Sequence, residues 1–311
     1  MKVLVTCPPM LRMIEEFRPV FREKGIELIT PEVVQTLTQE ELVELVPQTD
    51  GWIIGDDPAT ERVFKAGKAG RLRAAVKWGV GVDNVDFDAC KKLGIPVSNT
   101  PQMFGEEVGS LAAHYLIGLA RETFLIDRGV RAGKWLKPAG ISLSGRTVAL
   151  IGFGDIGKAT AKFLFAFDMK LNVYDPFAKT TSEDLGKYAF HVFPEKLEEA
   201  DFVVVTCALT PQTEHLLNAS SISKMKTGVR IVNVSRGGII DEQSLIEGLK
   251  SGKIHSAALD VFESEPLPYD SPLRDFECCI FGTHNGSNTS DAVRRASQQA
   301  MKLMFSFLGL D

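Results

Sequence analysis

Thr147-Val-Ala-Leu-Ile-Gly-Phe-Gly-Asp-Ile-Gly157 is the stretch that decides the fold. Its aliphatic run predicts a buried strand, which passes directly into Gly152-x-Gly154-x-x-Gly157 and then into a helical pattern. In such an arrangement Gly152 permits the tight turn, Gly154 lets the backbone approach a pyrophosphate, and Gly157 lets the helix press on the strand. The free N–H groups at the helix N-terminus then point at the phosphates. A second apolar run, Leu171-Asn-Val-Tyr174, ends at Asp175, about 20 residues past the glycines, where an acid is expected on the ribose 2′-OH. An acid there favours NAD over NADP. The alternative for Asp175 is a turn opener ahead of Pro176.

Working outward from this motif, short β-like runs at 148–151, 171–174, 202–206, 230–234, 257–259 and 279–281 alternate with helical patterns near 155–167, 241–251 and 289–308. Upstream the same alternation occurs, with strands at 2–6, 26–29, 51–54 and 74–78 and amphipathic stretches at 11–24 and 40–46 between them. The expected class is α/β, with two Rossmann-like, doubly wound parallel-sheet domains. A long apolar helical pattern at 102–122 is suited to bridging two lobes, whereas 128–145 shows little pattern of either kind. The final helix follows the last strand and is expected to cross back onto the first domain. The substrate domain is therefore discontinuous, 1–98 with 286–311, and the cofactor domain covers 99–285.

The 311 residues suit two domains, and a net charge of −5 offers no broad attraction for nucleic acid or an anionic membrane. No apolar run reaches the roughly 20 residues that span a bilayer, and the N-terminus reads as a strand, which points to a cytoplasmic protein. The five cysteines, Cys7, Cys90, Cys207, Cys278 and Cys279, show no ligand spacing, so neither a disulfide framework nor a metal site is expected. Cys207, Cys278 and Cys279 lie in or beside apolar runs and read as small core residues.

In open parallel sheets, ligands bind outside the carboxyl ends of the strands. Three polar residues follow predicted strands there: Arg236, Glu265 and His284. A hydride acceptor that becomes an alcohol needs a proton donor and a cation to orient it. Imidazole can exchange the proton, a guanidinium fork fits a carboxylate, and a neighbouring acid keeps the imidazole charged. Taken singly, each has a plainer reading as a turn, loop or strand-capping residue. His114 lies in an apolar helix and is expected in a core or interface, while His191, His215 and His255 show no matching partners.

Together with Lys77-Trp-Gly-Val-Gly-Val-Asp-Asn-Val-Asp86, Asn99-Thr-Pro101, Asn233-Val-Ser-Arg-Gly-Gly238, Ala258-Leu-Asp-Val-Phe-Glu263 and His284-Asn-Gly-Ser-Asn-Thr289, these residues resemble the D-isomer-specific 2-hydroxyacid dehydrogenases, with the phosphoglycerate dehydrogenase branch nearest. The likeness covers nearly the whole chain. It implies NAD-dependent interconversion of a small D-2-hydroxy acid and its 2-oxoacid, with Arg236 orienting substrate, His284 as general acid/base and Glu265 tuning His284. It further implies that Gly152, Gly154, Asp155, Ile156, Gly157, Asp175, Cys207, Val234 and Asp260 hold the cofactor, with Asp260 on the nicotinamide amide. Lys77, Val80, Gly81 and Asn99 would meet the substrate, its carboxylate falling to the amides around Val80 and Gly81. The family is usually dimeric, and the segment matching 128–138 embraces the partner.

This chain departs from the branch in having Lys77-Trp78 where an arginine is usual, and acids at Asp56 and Asp57. The segment Thr206-Cys-Ala-Leu-Thr-Pro211 lacks, ahead of Pro211, the His or Pro often seen in the corresponding cofactor loop. The chain ends shortly after its last helix, so the appended regulatory domains of longer relatives are not expected. Two rivals remain open: oxidation of phosphite or formate within the same fold, and an NAD(H)-sensing corepressor-like binding protein.

Overall fold

The computed structural model describes residues 1–310 and divides into two units, 1–103 with 288–311 and 104–287. The boundaries fall a few residues later than the sequence pattern suggests. Each unit is built around a wholly parallel sheet.

In the smaller unit the strands are β1 (Lys2–Val5), β2 (Glu27–Ile29), β3 (Gly51–Ile54), β4 (Ala74–Lys77) and β5 (Val97–Asn99), in spatial order β2-β1-β3-β4-β5. The central strands are apolar on both faces because helices cover both, so Gly51-Trp-Ile-Ile54 and Ala74-Ala-Val-Lys77 are buried throughout. The helix Ser290–Leu308, capped by Thr289 at its start and by the left-handed Gly309 at its end, packs on β3 and β4. It thereby joins the first unit from the far end of the chain. Trp78 is buried against this helix and donates its indole N–H to Ser297 Oγ at 3.1 Å. The tryptophan therefore packs beneath the following loop.

The larger unit contains β6 (Thr147–Ile151), β7 (Lys170–Tyr174), β8 (Ala189–Phe190), β9 (Phe202–Val205), β10 (Val229–Asn233), β11 (Ile254–Leu259) and β12 (Ile280–Phe281). Their order, β12-β11-β10-β9-β6-β7-β8, reverses direction between β6 and β9. That is the topological switch point of a doubly wound sheet, where ligands bind beyond the strand ends. The helix Gly105–Arg121 lies on the helix Asp155–Ala166, brought close by Gly109, where a Cβ would crowd Ala159 and Thr160.

Two strands of three and two residues, β5 and β8, have no counterpart in the sequence pattern, although the equally short β2 and β12 do. Residues Thr123–Arg131 form a helix, so the first part of the 128–145 segment is ordered where no pattern was expected. The stretch 11–24 is interrupted at Met13 into Pro8–Arg12 and Ile14–Glu23. Among the described residues no helix is long and apolar enough to cross a membrane.

Candidate active site

The phosphate cradle follows directly from three glycines. Gly152 has φ +99° and lies against Cys207, where a Cβ would overlap the Cys207 backbone across the switch point. At Gly157 a Cβ would overlap the Gly152 carbonyl, so this glycine fixes how tightly the helix Asp155–Ala166 meets the turn. Gly154, the N-cap of that helix, differs: a Cβ there would meet nothing within 4 Å. The helix has no side-chain cap, so its first N–H groups, including those of Asp155 and Ile156, are available to an anion. Open space over Gly154 beside uncapped amides fits a pyrophosphate, and the residues present thus suit a dinucleotide.

Asp155 is exposed, and its carboxylate is close enough to Gly105 that a Cβ there would collide with it. Asp175 stands at the end of β7, where Oδ2 accepts from Phe153 N at 2.7 Å and Oδ1 from Phe177 N at 2.8 Å. It therefore ties the glycine turn to the next loop, and the Phe177 bond is the turn that Pro176 suggested. Cys207 is half-buried, its thiol pushed up to about 11 by burial, and its carbonyl accepts from Ser235 Oγ. Val234 is buried at the end of β10.

Arg236, Glu265 and His284 come from loops beyond three neighbouring strands, β10, β11 and β12. His284 Nδ1 and Glu265 Oε2 are 2.8 Å apart, both side chains about one-fifth exposed. An Nδ1–H donated to the carboxylate puts the ring's other nitrogen, Nε2, on the side away from Glu265. Glu265 Oε1 accepts from Phe262 N at 3.0 Å, which orients the carboxylate. His284 has φ +52°, and its N–H donates to Asp260 O at 2.6 Å. Arg236 follows a turn locked by Asn233, whose Oδ1 accepts from Ser235 N at 3.0 Å and whose Nδ2 donates to Arg236 O at 2.9 Å. Its guanidinium reaches Ser235 O at 2.9 Å.

Asp260 is 2% exposed, with Oδ1 accepting from Tyr115 Oη at 3.3 Å and Oδ2 from Gly286 N at 2.8 Å. Its carboxylate anchors the loop that carries His284, a structural duty the sequence did not suggest. Tyr115, on the helix Gly105–Arg121, has its phenol pushed up by burial and then by the Asp260 charge. Tyr115, Asn233 and Gly237 were all missed as supporting residues. Only Asn233, a polar residue ending an apolar strand, gave a visible signal.

In the smaller unit the loop after β4 carries Val80 and Gly81. Among the described residues their amides donate to no protein acceptor, and Asn99 Nδ2 donates to Val80 O at 3.1 Å. Lys77 is 2% exposed and its ammonium pairs with Asp56 Oδ1 at 2.9 Å while also donating to Gly55 O. Its charge is thereby matched within the unit. Asp57 points inward, accepting from Leu37 N at 2.9 Å, Gly55 N at 3.0 Å and the Thr6 hydroxyl, and burial pushes its carboxyl up. The two acids of 56–57 are therefore a partner for Lys77 and an interior brace.

His114 is exposed, so of the expected core or interface only the interface stays open, and it stacks edge-on to Phe124 at 5.5 Å. His215 and His255, expected to lack matching partners, both have acidic ones: Glu263 at 2.9 Å and Glu122 at 3.7 Å.

Residues 113–286 match the family described as D-isomer specific 2-hydroxyacid dehydrogenase, NAD binding domain. A hydroxypyruvate reductase from Thermotoga maritima is 37% identical over 280 residues, covering 88% of this chain and 90% of that protein. A D-3-phosphoglycerate dehydrogenase from Methanocaldococcus jannaschii is 36% identical over 95% of this chain, which spans only 55% of its length. The solved apo structure of D-lactate dehydrogenase from Escherichia coli superposes with a TM-score of 0.83 at 29% identity, covering 97% of this chain and 95% of that one. Cradle, switch point, family match and relatives agree: the chain belongs to the D-isomer-specific 2-hydroxyacid dehydrogenases, NAD-dependent oxidoreductases with two Rossmann-like domains.

Proposed function

We propose that the protein reduces a small 2-oxoacid to its D-2-hydroxy acid, and runs the reverse reaction, with Arg236, Glu265 and His284 as its chemical residues. The carrying observation is the 2.8 Å His284–Glu265 pair beside the Arg236 turn, at the ends of three adjacent strands. When bound, NADH supplies the hydride. Gly152, Gly154, Asp155, Ile156, Gly157, Asp175, Cys207, Val234 and Asp260 form its binding surface. Asp175 retains lone pairs for the ribose hydroxyls beyond its two backbone donors. Arg236 orients and polarises the oxoacid through its planar fork. His284 Nε2 delivers a proton to the forming alkoxide, and Glu265 holds the ring in register and balances its charge.

From the smaller unit, the unpaired amides of Val80 and Gly81 take the substrate carboxylate, with Asn99 bracing that loop. Lys77 acts by fixing 55–57 under the loop after β4, since its ammonium is committed to Asp56. A phosphorylated substrate would find that charge already matched, which favours an unphosphorylated oxoacid such as hydroxypyruvate over 3-phosphohydroxypyruvate. The half-exposed Val130 and largely exposed Trp135 support a homodimer formed through 128–138. A cytoplasmic location accords with such metabolic chemistry.

The test is NADH oxidation against glyoxylate, pyruvate, hydroxypyruvate, 2-oxoglutarate, bulky apolar oxoacids and 3-phosphohydroxypyruvate, with NADPH in parallel. Highest kcat/KM is expected for a small unphosphorylated acid with NADH. Preference for the phosphorylated member would overturn the assignment of Lys77, and silence across the panel would overturn the reaction.

A further inference from the structure

We infer that the His215–Glu263 pair clamps the turn that carries Arg236, which makes His215 a positioning residue for the reaction; this rests on the reading of Arg236 as the substrate-orienting cation. The turn Arg236-Gly237-Gly238 is gripped from two sides. On one side is the loop after β11. Gly237 presses so closely on it that a Cβ would overlap the Phe262 carbonyl and the Glu263 amide. On the other side is the loop after β9, whose His215 N–H donates to Gly238 O at 2.8 Å. Two further bonds extend the contact: Leu217 N to Ile239 O at 3.1 Å and Asp241 N to Leu217 O at 2.9 Å.

The His215 side chain closes the grip. Its Nε2 is 2.9 Å from Glu263 Oε1, joining the two loops across the turn they enclose. The same Glu263 oxygen accepts from Glu242 N at 3.2 Å, at the start of the helix Glu242–Ser251, so the carboxylate is held from both directions. His215 has φ +48°, a left-handed conformation that few non-glycine residues adopt and that histidine, like asparagine and aspartate, adopts more readily than most. Its backbone is kept there by the Gly238 bond and by Asn218 Nδ2, which donates to His215 O at 2.9 Å.

A backbone so constrained, ending in a side chain that spans to the opposite loop, has a geometric consequence. Arg236 has its own carbonyl pinned by Asn233, Gly237 is pressed against Phe262 and Glu263, and Gly238 is held through its carbonyl by the His215 N–H. Without the His215–Glu263 bond the part of the loop after β9 around His215 keeps only its backbone bonds to Gly238, Ile239 and Asp241, so the turn is held less firmly on that side. The guanidinium then samples a wider range of positions. Misplacement of this kind weakens substrate capture while leaving the glycine cradle around Gly154 intact.

The experiment is steady-state kinetics with hydroxypyruvate and NADH, with NADH Kd by fluorescence titration, on wild type, His215→Ala, His215→Gln, Arg236→Ala and the His215→Ala/Arg236→Ala double variant. His215→Asn, whose short amide suits the left-handed backbone but cannot reach Glu263, is a second removal variant should the alanine protein be unstable. Loss of the imidazole is expected to raise the oxoacid KM on the order of tenfold with NADH Kd unchanged. The glutamine amide can take the place of Nε2 and should restore most of the loss. In the Arg236→Ala background the His215 change should add nothing, because it acts through that arginine. Penalties that multiply in the double variant, or a wild-type KM in His215→Ala beside an impaired Arg236→Ala, overturn the clamp and leave the arginine's role standing. An Arg236→Ala enzyme as active as wild type overturns that role, and the clamp with it.

Discussion

Arg236 and His284 each follow a strand, but their backbones are held by quite different neighbours: Asn233 for the first, the Asp260 carbonyl for the second. Strand-end placement was visible in the sequence because the apolar runs mark where strands stop, and ligands bind beyond the carboxyl ends of parallel strands. The supporting contacts were invisible, since Tyr115 and Asp260 are 145 positions apart and His215 reaches Glu263 only through the packing of two loops. Lys77 shows the same limit. Its partner Asp56 was legible only as an acid near the site, and the pairing that matches the ammonium's charge was not legible at all. At this scale the assigned roles make a sharp prediction. Arg236→Ala and His284→Ala should each lower kcat/KM for the oxoacid by about 10²–10⁴, with NADH affinity changed less than threefold. Parallel loss of NADH binding, checked by titration of protein fluorescence, would remove the residues from these roles.

Among the elements, the glycine turn and its helix separate two demands that one motif combines. Gly157 answers a packing demand, because a Cβ there collides with protein, whereas at Gly154 a Cβ meets open space, which the proposed cofactor would fill. Gly154→Val should therefore unfold within a couple of degrees of wild type yet bind NADH at least tenfold more weakly. Gly157→Val should lose about 1–3 kcal/mol of stability before any question of binding arises. Thermal denaturation paired with NADH titration distinguishes them, and equal destabilisation of both would refute the division. Long buried strands such as Phe202-Val-Val-Val205 were readable as continuous apolar runs. The short β5 and β8 were not, since Val97-Ser-Asn99 and Ala189-Phe190 offer one and two apolar residues, whereas the equally short edge strands β2 and β12 lie in the apolar runs 26–29 and 279–281. The helix Thr123–Arg131 went unread although its apolar and polar residues fall on opposite faces, and in the fold it buries only Gly129 fully.

For the whole molecule, the discontinuous smaller unit was legible from the lone helix after the last strand, and the two parallel sheets from the β and α alternation. What the alternation could not give was which side chains remain in water. The protein has three tryptophans, and they divide unequally: Trp52 and Trp78 are buried in the smaller unit, while Trp135 is 80% exposed on the larger. The chain therefore carries its own optical probes. Two indoles should emit at short wavelength and resist acrylamide, and their red shift on denaturation reports the smaller unit alone. Trp135 sits in the segment proposed to meet a second copy, so its emission should move to longer wavelength, and become quenchable, as protein is diluted through the dimer dissociation constant. A Trp135→Phe protein should lose that concentration dependence and keep the blue emission. A spectrum unchanged across dilution, in protein shown by sedimentation to dissociate, would place the contact elsewhere on the surface.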